Sequence, residues 1–164
     1  MTAVAETPQF ANATLRAVGT GWRLSTIFRR QSGSWFSVAA GDDRALNDLE
    51  DQNAEQVLPS PYGDRTSLNN YLNPAAFAVP ALGTIGNTRP RSIVGPAYWG
   101  LDAALSRTFQ FFESHKVEAR FEAFNVTNSL RRGNPVTDIK SGSFGRILTA
   151  ADPRILQFSM KYIF

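Results

Sequence analysis

The chain has no cysteine and a single histidine, His115, in 164 residues. The first absence excludes a disulfide framework, a thiol nucleophile and a thiolate metal site. The second excludes paired-histidine metal motifs and leaves little room for a Ser-His-Asp triad. Long hydrophobic runs are also missing, since none approaches the roughly 20 apolar residues of a membrane-spanning helix. Charge of one sign is scarce as well: the formal balance is +3, with 14 Arg and 3 Lys spread along the chain. A nucleic-acid footprint would gather its bases on one face, so no nucleic-acid partner is expected. The N-terminal stretch Met1–Phe10 has neither a basic n-region nor an apolar h-region and does not read as a signal peptide.

What is abundant points to strands and turns. Aromatics make up 12% of residues, with Phe 12, Gly 12 and Pro 9, while helical periodicity is weak. Period-2 alternation recurs in four places, near 22–38, 98–112, 116–127 and 154–164. In the last, Leu156, Phe158, Met160, Tyr162 and Phe164 share one face, and Ile155, Gln157, Ser159, Lys161 and Ile163 share the other. That length fits the roughly 9–11 residues of a tilted membrane-spanning strand. It fits an amphipathic strand of a soluble sheet equally well.

The third segment sets Val117, Ala119, Phe121 and Ala123 against Glu118, Arg120 and Glu122. Three charges on one face must meet water, in a solvated sheet or a wet lumen. The second puts Trp99, Leu101, Ala103, Leu105, Phe109 and Phe111 on one side, interrupted by Arg107 near one end, where a long side chain can snorkel. The first, Trp22–Phe28, alternates less cleanly and is expected to continue through a bulge at Ser32-Gly33 into Trp35–Val38.

Connections differ in length. A tight turn around Glu113–Lys116 joins segments two and three, whereas 40–98 and 128–153 are long. Loops of that size are uncommon inside a compact soluble domain. Short turns alternating with long loops are what an outer-membrane barrel shows.

With these features in place, the chain resembles the C-terminal end of TonB-dependent outer-membrane receptors, in the branch whose N-terminus carries a carboxypeptidase-regulatory-like domain. The matching stretches run in order over about residues 8 to 164. They include Gly21-Trp-Arg-Leu-Ser25, Gln31-Ser-Gly33, Tyr71-Leu-Asn-Pro-Ala-Ala-Phe77, Gly86-Asn87 with Arg91, and Gly95-Pro96. Leu101-Asp102, Leu105-Ser-Arg-Thr-Phe109, Arg120-Phe-Glu-Ala-Phe-Asn-Val-Thr-Asn128, Phe144-Gly-Arg-Ile147, Arg154–Phe158 and the terminal Phe164 complete the set. The family builds a barrel of about 22 strands around a plug and imports scarce nutrients. The resemblance implies that this chain holds only a C-terminal portion, without plug or TonB-contacting segment.

The expected architecture is therefore all-β: about four antiparallel strands of an incomplete transmembrane barrel with two long external loops. If Phe164 ends in the periplasm, the last strand descends and both long loops lie outside. Leu156, Phe158, Met160, Tyr162 and Phe164 resemble the strand read by the outer-membrane assembly machinery; the plain alternative is a last strand of a soluble sheet. Glu118, Arg120 and Glu122 are expected to face the lumen, or else to be a solvated face. Trp22, Trp99, Phe109 and Phe111, with Phe112 and Tyr162, are candidates for interfacial girdles, against ordinary core aromatics.

Six acids between Asp42 and Glu55 match no fixed ligand spacing and read as a solvated loop. Arg131-Arg132 is a candidate contact for lipopolysaccharide phosphates or an ordinary exposed pair. His115 reads as a turn residue. The sequons at Asn12 and Asn125 read as accidental.

No enzyme activity, cofactor or metal is expected. The partners implied are outer-membrane lipid, the rest of the barrel and its plug, and the assembly machinery, with TonB reached only through the N-terminal part. The implied location is the outer membrane of a Gram-negative bacterium, reached as part of a longer precursor with a signal peptide. The competing readings are a soluble β-sandwich binding module and a non-functional gene remnant.

Overall fold

Alternating side chains ask for a sheet, and a computed structural model describing residues 1–49, 52–111 and 114–164 forms one. In chain order the elements are β1 (Thr2–Glu6), α1 (Ala13–Gly19), β2 (Trp22–Gln31), β3 (Trp35–Phe36), β4 (Glu55–Gln56), β5 (Phe77–Ala78), β6 (Ile93–Val94), β7 (Tyr98–Gln110), β8 (Lys116–Phe124) and β9 (Ile155–Ile163). They divide into two compact units. One comprises residues 1–30, 99–130 and 152–164; the other comprises 31–98 and 131–151.

The first unit is a five-stranded sheet in the order β1-β2-β7-β8-β9. The β1–β2, β7–β8 and β8–β9 pairs are antiparallel. Between β2 and β7 the side-chain partners run in opposite senses, Trp22 meeting Arg107 and Phe28 meeting Trp99. Register keeps the two faces chemically distinct. Leu105–Phe121–Phe158, Arg107–Ala119–Met160 and Phe109–Val117–Tyr162 form rows on one face. Ala104–Glu122–Gln157, Ser106–Arg120–Ser159 and Thr108–Glu118–Lys161 form rows on the other. A slip of one residue would exchange the two sets, so the alternation itself holds the pairing. Among the described residues, neither β1 nor β9 has a strand on its outer side.

The all-β, antiparallel architecture is as the sequence indicates, with corrections in detail. The sheet has five strands rather than about four. The additional one, β1, is five exposed residues of mostly small side chains and carries no alternation to find. The first segment does not run through a bulge to residue 38. The strand ends at Gln31, and Trp35-Phe36 pairs instead with Ile93-Val94 in a separate two-stranded sheet. Gly33 lies against the Gly95 carbonyl, where a Cβ has no room. The strand β8 stops at Phe124 because Asn125 takes φ +53, a conformation that Asn tolerates and that ends a strand. The end of the second segment at Phe112, the Glu113 position of the turn, and Glu50 and Asp51 of the acidic stretch lie outside the described residues.

In the second unit the two long connections carry a hydrophobic core of their own, which the sequence does not announce. Phe36, Val38, Tyr71, Leu72, Ile93 and Phe144 are among its buried residues. Phe77 and Phe144 meet edge to face at 5.5 Å. Tyr71 donates its hydroxyl to the Val94 carbonyl at 2.9 Å, and the Tyr62 hydroxyl accepts from the Val94 N–H at 2.9 Å. At Gly145, φ +76, the carbonyl receives both Tyr71 and Leu72 N–H groups, so the 131–151 segment is stitched onto the 31–98 segment within this unit.

Candidate functional site

The feature that demands a function is the apolar face of the five-stranded sheet. Leu24, Phe28, Trp99, Leu105, Phe109, Phe121 and the β9 row are all exposed, with Phe158 at 65% and Met160 at 67%. Monomeric soluble proteins rarely leave such a contiguous surface uncovered. Leu156, Phe158, Met160, Tyr162 and Phe164 thus lie at the outermost strand with their side chains unburied. No helix among the described residues is long and apolar enough to cross a membrane, which leaves strands as the elements to examine.

Aromatic side chains mark both ends of this face, with Phe121 and Phe158 in the Leu105 row between them. Phe28 and Trp99 meet at one end, ring centroids 6.3 Å apart. Trp22, Phe109, Phe111, Tyr162 and Phe164 gather at the other, by the register of β7, β8 and β9. From Trp99 to Phe109 is 109 − 99 = 10 residues of β7. At roughly 3.3 Å per residue that is about 33 Å of strand. A tilt of about 40° projects it to about 25 Å, the height of the apolar band of an outer-membrane barrel. Spacing and exposure together give the face the dimensions of a bilayer core. Of the sequence-predicted girdle residues, Trp99 therefore sits apart from Trp22, Phe109 and Phe111.

Arg107 is the one cation in the central apolar rows, and its surroundings explain why it is tolerated. Its guanidinium lies 5.4 Å from the Trp22 ring centroid and 4.7 Å from that of Phe109. It donates to the carbonyls of Ala17 and Val18 at the end of α1, where a helix presents unpaired acceptors and its negative pole. At the same level the lone histidine is more than a turn residue: its Nδ1 lies 2.6 Å from the Tyr162 hydroxyl with the rings stacked. His115 thus ties the β7–β8 connection to the last strand.

The opposite face is polar and internally paired. Arg120 donates to Glu122 at 2.8 Å, and Glu118 sits in register between Thr108 and Lys161. Arg23 pairs with Glu6 at 2.6 Å, and Arg29 with Asp102. The exposed Arg23–Glu6 pair contributes only about 0–1 kcal/mol, so its effect is to keep this face wetted, whereas Asp102 is buried and also accepts a backbone N–H. A hollow of about 100 Å³ on this face is lined by Ser25, Ile27, Asp102, Arg120 and Glu122, among others.

One polar knot was not visible as such in the sequence. Asp102 accepts the Asn125 N–H at 2.8 Å. Asn125 is fully buried, and its side chain holds Ser129 through the backbone N–H at 3.0 Å and the hydroxyl at 3.1 Å. The single hydroxyl hydrogen of Ser129 is shared between Asn125 Oδ1 and the Trp99 carbonyl, which lies 2.9 Å away. Asn128 accepts the Arg154 N–H at 3.0 Å, fixing the entry to β9. The sequon at Asn125 is therefore a joint with its side chain buried. The run Asn125–Asn128 just after an alternating segment was the turn signal available.

In the second unit Asp42 and Asp43 of the acidic stretch are locally paired. Asp42 lies 2.6 Å from Lys140, and that hydrogen bond holds its carboxyl below the usual range. Partial desolvation pushes Asp43 up, but the Asn47 and Asp48 N–H groups and the Gln52 amide outweigh it and leave the carboxyl lowered. The hydroxyl and N–H of Thr66 lower Asp64. Among the described residues no set of three or more His, Asp or Glu is placed to hold a metal. Arg132 donates to the carbonyls of Arg65 and Thr66 at 2.9 and 3.1 Å, and Nε of Arg131 is buried. Arg132 at least is thereby committed to its own unit.

Against known proteins, residues 1–157 match a family model described as an outer membrane beta barrel domain. No curated protein and no solved structure matches the chain.

Proposed function

This chain belongs to the outer membrane beta-barrel domain family, and from that premise we propose that it is the C-terminal barrel segment of a TonB-dependent receptor that imports a nutrient. The observation that carries the reading is the exposed apolar face, interrupted in its central rows only by Arg107, with its aromatic ends about 25 Å apart by strand rise and tilt, backed by a face of paired charges. Lipid meets the first and a water-filled or plugged lumen meets the second. Rows of backbone donors and acceptors on β1 and β9 cannot stay unpaired in hydrocarbon, where each costs several kcal/mol. They call for the remaining strands of a barrel.

In this orientation the β1–β2 connection and the β7–β8 turn face the periplasm. The long connections 40–98 and 128–153 lie outside, where they contribute to substrate capture. The β9 row ending at Phe164 is the part the assembly machinery reads, and Glu118, Arg120 and Glu122 line the lumen beside a plug. TonB acts through a part of the receptor outside this sequence, and a precursor with a signal peptide brings the whole to the outer membrane. The exposed apolar face disfavours the β-sandwich alternative, which would have sealed it.

The test is uptake by cells carrying the complete receptor gene, compared with the same cells lacking TonB and with the receptor truncated before Ile155. Import lost in both, with the truncated receptor absent from the outer-membrane fraction, is the expected result. Import unaffected by loss of TonB overturns the energised-receptor reading while leaving the barrel.

A further inference from the structure

We propose that the connection between β1 and β2, residues 7–21, is an interfacial lipid anchor: α1 lies along the surface of the inner leaflet with Leu15 and Val18 against phospholipid. This rests on the reading of the apolar sheet face as lipid-facing and adds to it a second, differently built membrane contact. Leu15 and Val18 are three residues apart and so share a side of α1. They are 55% and 67% exposed, and no residue of the helix is buried. A water-facing seven-residue helix gains nothing from that arrangement.

Charge and hydrogen bonding agree. The only charged residue from Thr7 to Gly21 is Arg16, and its guanidinium turns back to the carbonyls of Phe10 and Ala11 at 2.9 and 2.8 Å. The N-terminal end is closed by Asn12, whose side chain accepts the Thr14 and Leu15 N–H groups at 2.9 and 3.3 Å. At the C-terminal end, Arg107 takes the Ala17 and Val18 carbonyls, and Trp22 Nε1 donates to Val18 at 2.8 Å. Helix ends that would otherwise need water are thus provided for inside the protein.

Position names the occupant. Arg107 belongs to the apolar row of Ala119 and Met160, so the helix is pinned on the lipid side of the sheet, at the level of Trp22 and Phe109. There it continues the apolar surface instead of starting a new one. An amphipathic segment at that level lies in the boundary between headgroups and acyl chains. An arginine on the lipid face costs little near the interface and much more at midplane, which fits Arg107 as the tether.

These 164 residues hold no cysteine, and any in the rest of the receptor is replaced by serine before labelling. Single variants Leu15→Cys, Val18→Cys, Leu105→Cys and Ser159→Cys are each labelled with an environment-sensitive fluorophore in the full chain as it sits in its barrel. The protein is reconstituted in phosphatidylethanolamine–phosphatidylglycerol vesicles. Quenching is read with nitroxides placed near the headgroup, deep in the acyl chain, or in the water. Labels at 15 and 18 are expected to emit to the blue of the one at 159 and to be quenched most by the shallow lipid nitroxide, while the label at 105 responds most to the deep one. Quenching of 15 and 18 only from water, with 105 still lipid-quenched, overturns the anchor and leaves the barrel. Shielding of 15 and 18 from all three quenchers also overturns it, since a protein then covers the helix. A water-quenched label at 105 removes the barrel reading and the anchor together.

Discussion

Phe158 and Met160 in the five-stranded sheet keep about two-thirds of their surface open, whereas Leu72 and Tyr71 in the unit formed by 31–98 and 131–151 are sealed at 0% and 1%. Both regions are rich in apolar residues, yet one buries them and the other displays them. The difference follows from the solvent each is built for. In water, apolar surface is stabilised by burial at roughly 25 cal/mol per Å², so the connecting segments fold inward on a core. In hydrocarbon there is no such gain, and the governing demand is a paired backbone. The sheet answers that demand with register and leaves its side chains outside.

Three experiments sharpen or break that contrast. The largest effect is expected at Leu72→Ala, a cavity in the second core costing about 2–5 kcal/mol. It should appear as protease cleavage within 31–98 while the sheet strands stay protected. Release of the sheet from the membrane by the same substitution would show the two regions to be one cooperative unit. Next comes Phe158→Arg, expected to cost about 2–4 kcal/mol if the site lies near midplane and to lower the folded fraction in lipid vesicles. Ser159→Arg, one residue on and facing the other way, should be close to neutral. Equal losses at 158 and 159 would abolish the distinction between faces.

The smallest effect is in pH. Asp42, Asp43 and Asp64 are all held below their ordinary 3.8. Each therefore contributes stability that is present above the unfolded value and is lost as pH falls through the depressed folded value. Proteolytic resistance of the 31–98 and 131–151 segments should decline only below about pH 4, with the sheet unaffected. A decline centred near neutrality would show that these carboxylates do not set it.

Legibility in the sequence divided along the same line. The strands β7, β8 and β9 were readable because a sheet with one apolar face must write a period of two into the chain. Arg107 was readable as an end-of-strand cation, though not that its partners are helix carbonyls. The small core was not readable, because Phe36, Tyr71, Ile93 and Phe144 come from four separated places and meet only through non-local pairing. Several resembling motifs lie there: Asn73 caps the turn Pro74–Ala76, and Asn87 bonds both backbone groups of Gln56, at 2.7 and 3.1 Å. Their spacing was visible, and their purpose as joints was not. The helix α1 had its start and stop signals, Asn12 before it and Gly19 and Gly21 at its end, but seven residues are too few to show a helical stripe.

Strand direction in the sheet has a further consequence. Counting from β1 to β9, the five alternate, so both borders run the same way. Copies set side by side in one membrane orientation would bring β9 of one against β1 of the next in parallel, and an antiparallel join would need a copy inserted upside down. Ring closure by self-association is thereby disfavoured. A cylinder antiparallel throughout has an even total, so whatever completes this one supplies an odd number of staves, the first and last both opposed to the borders they meet.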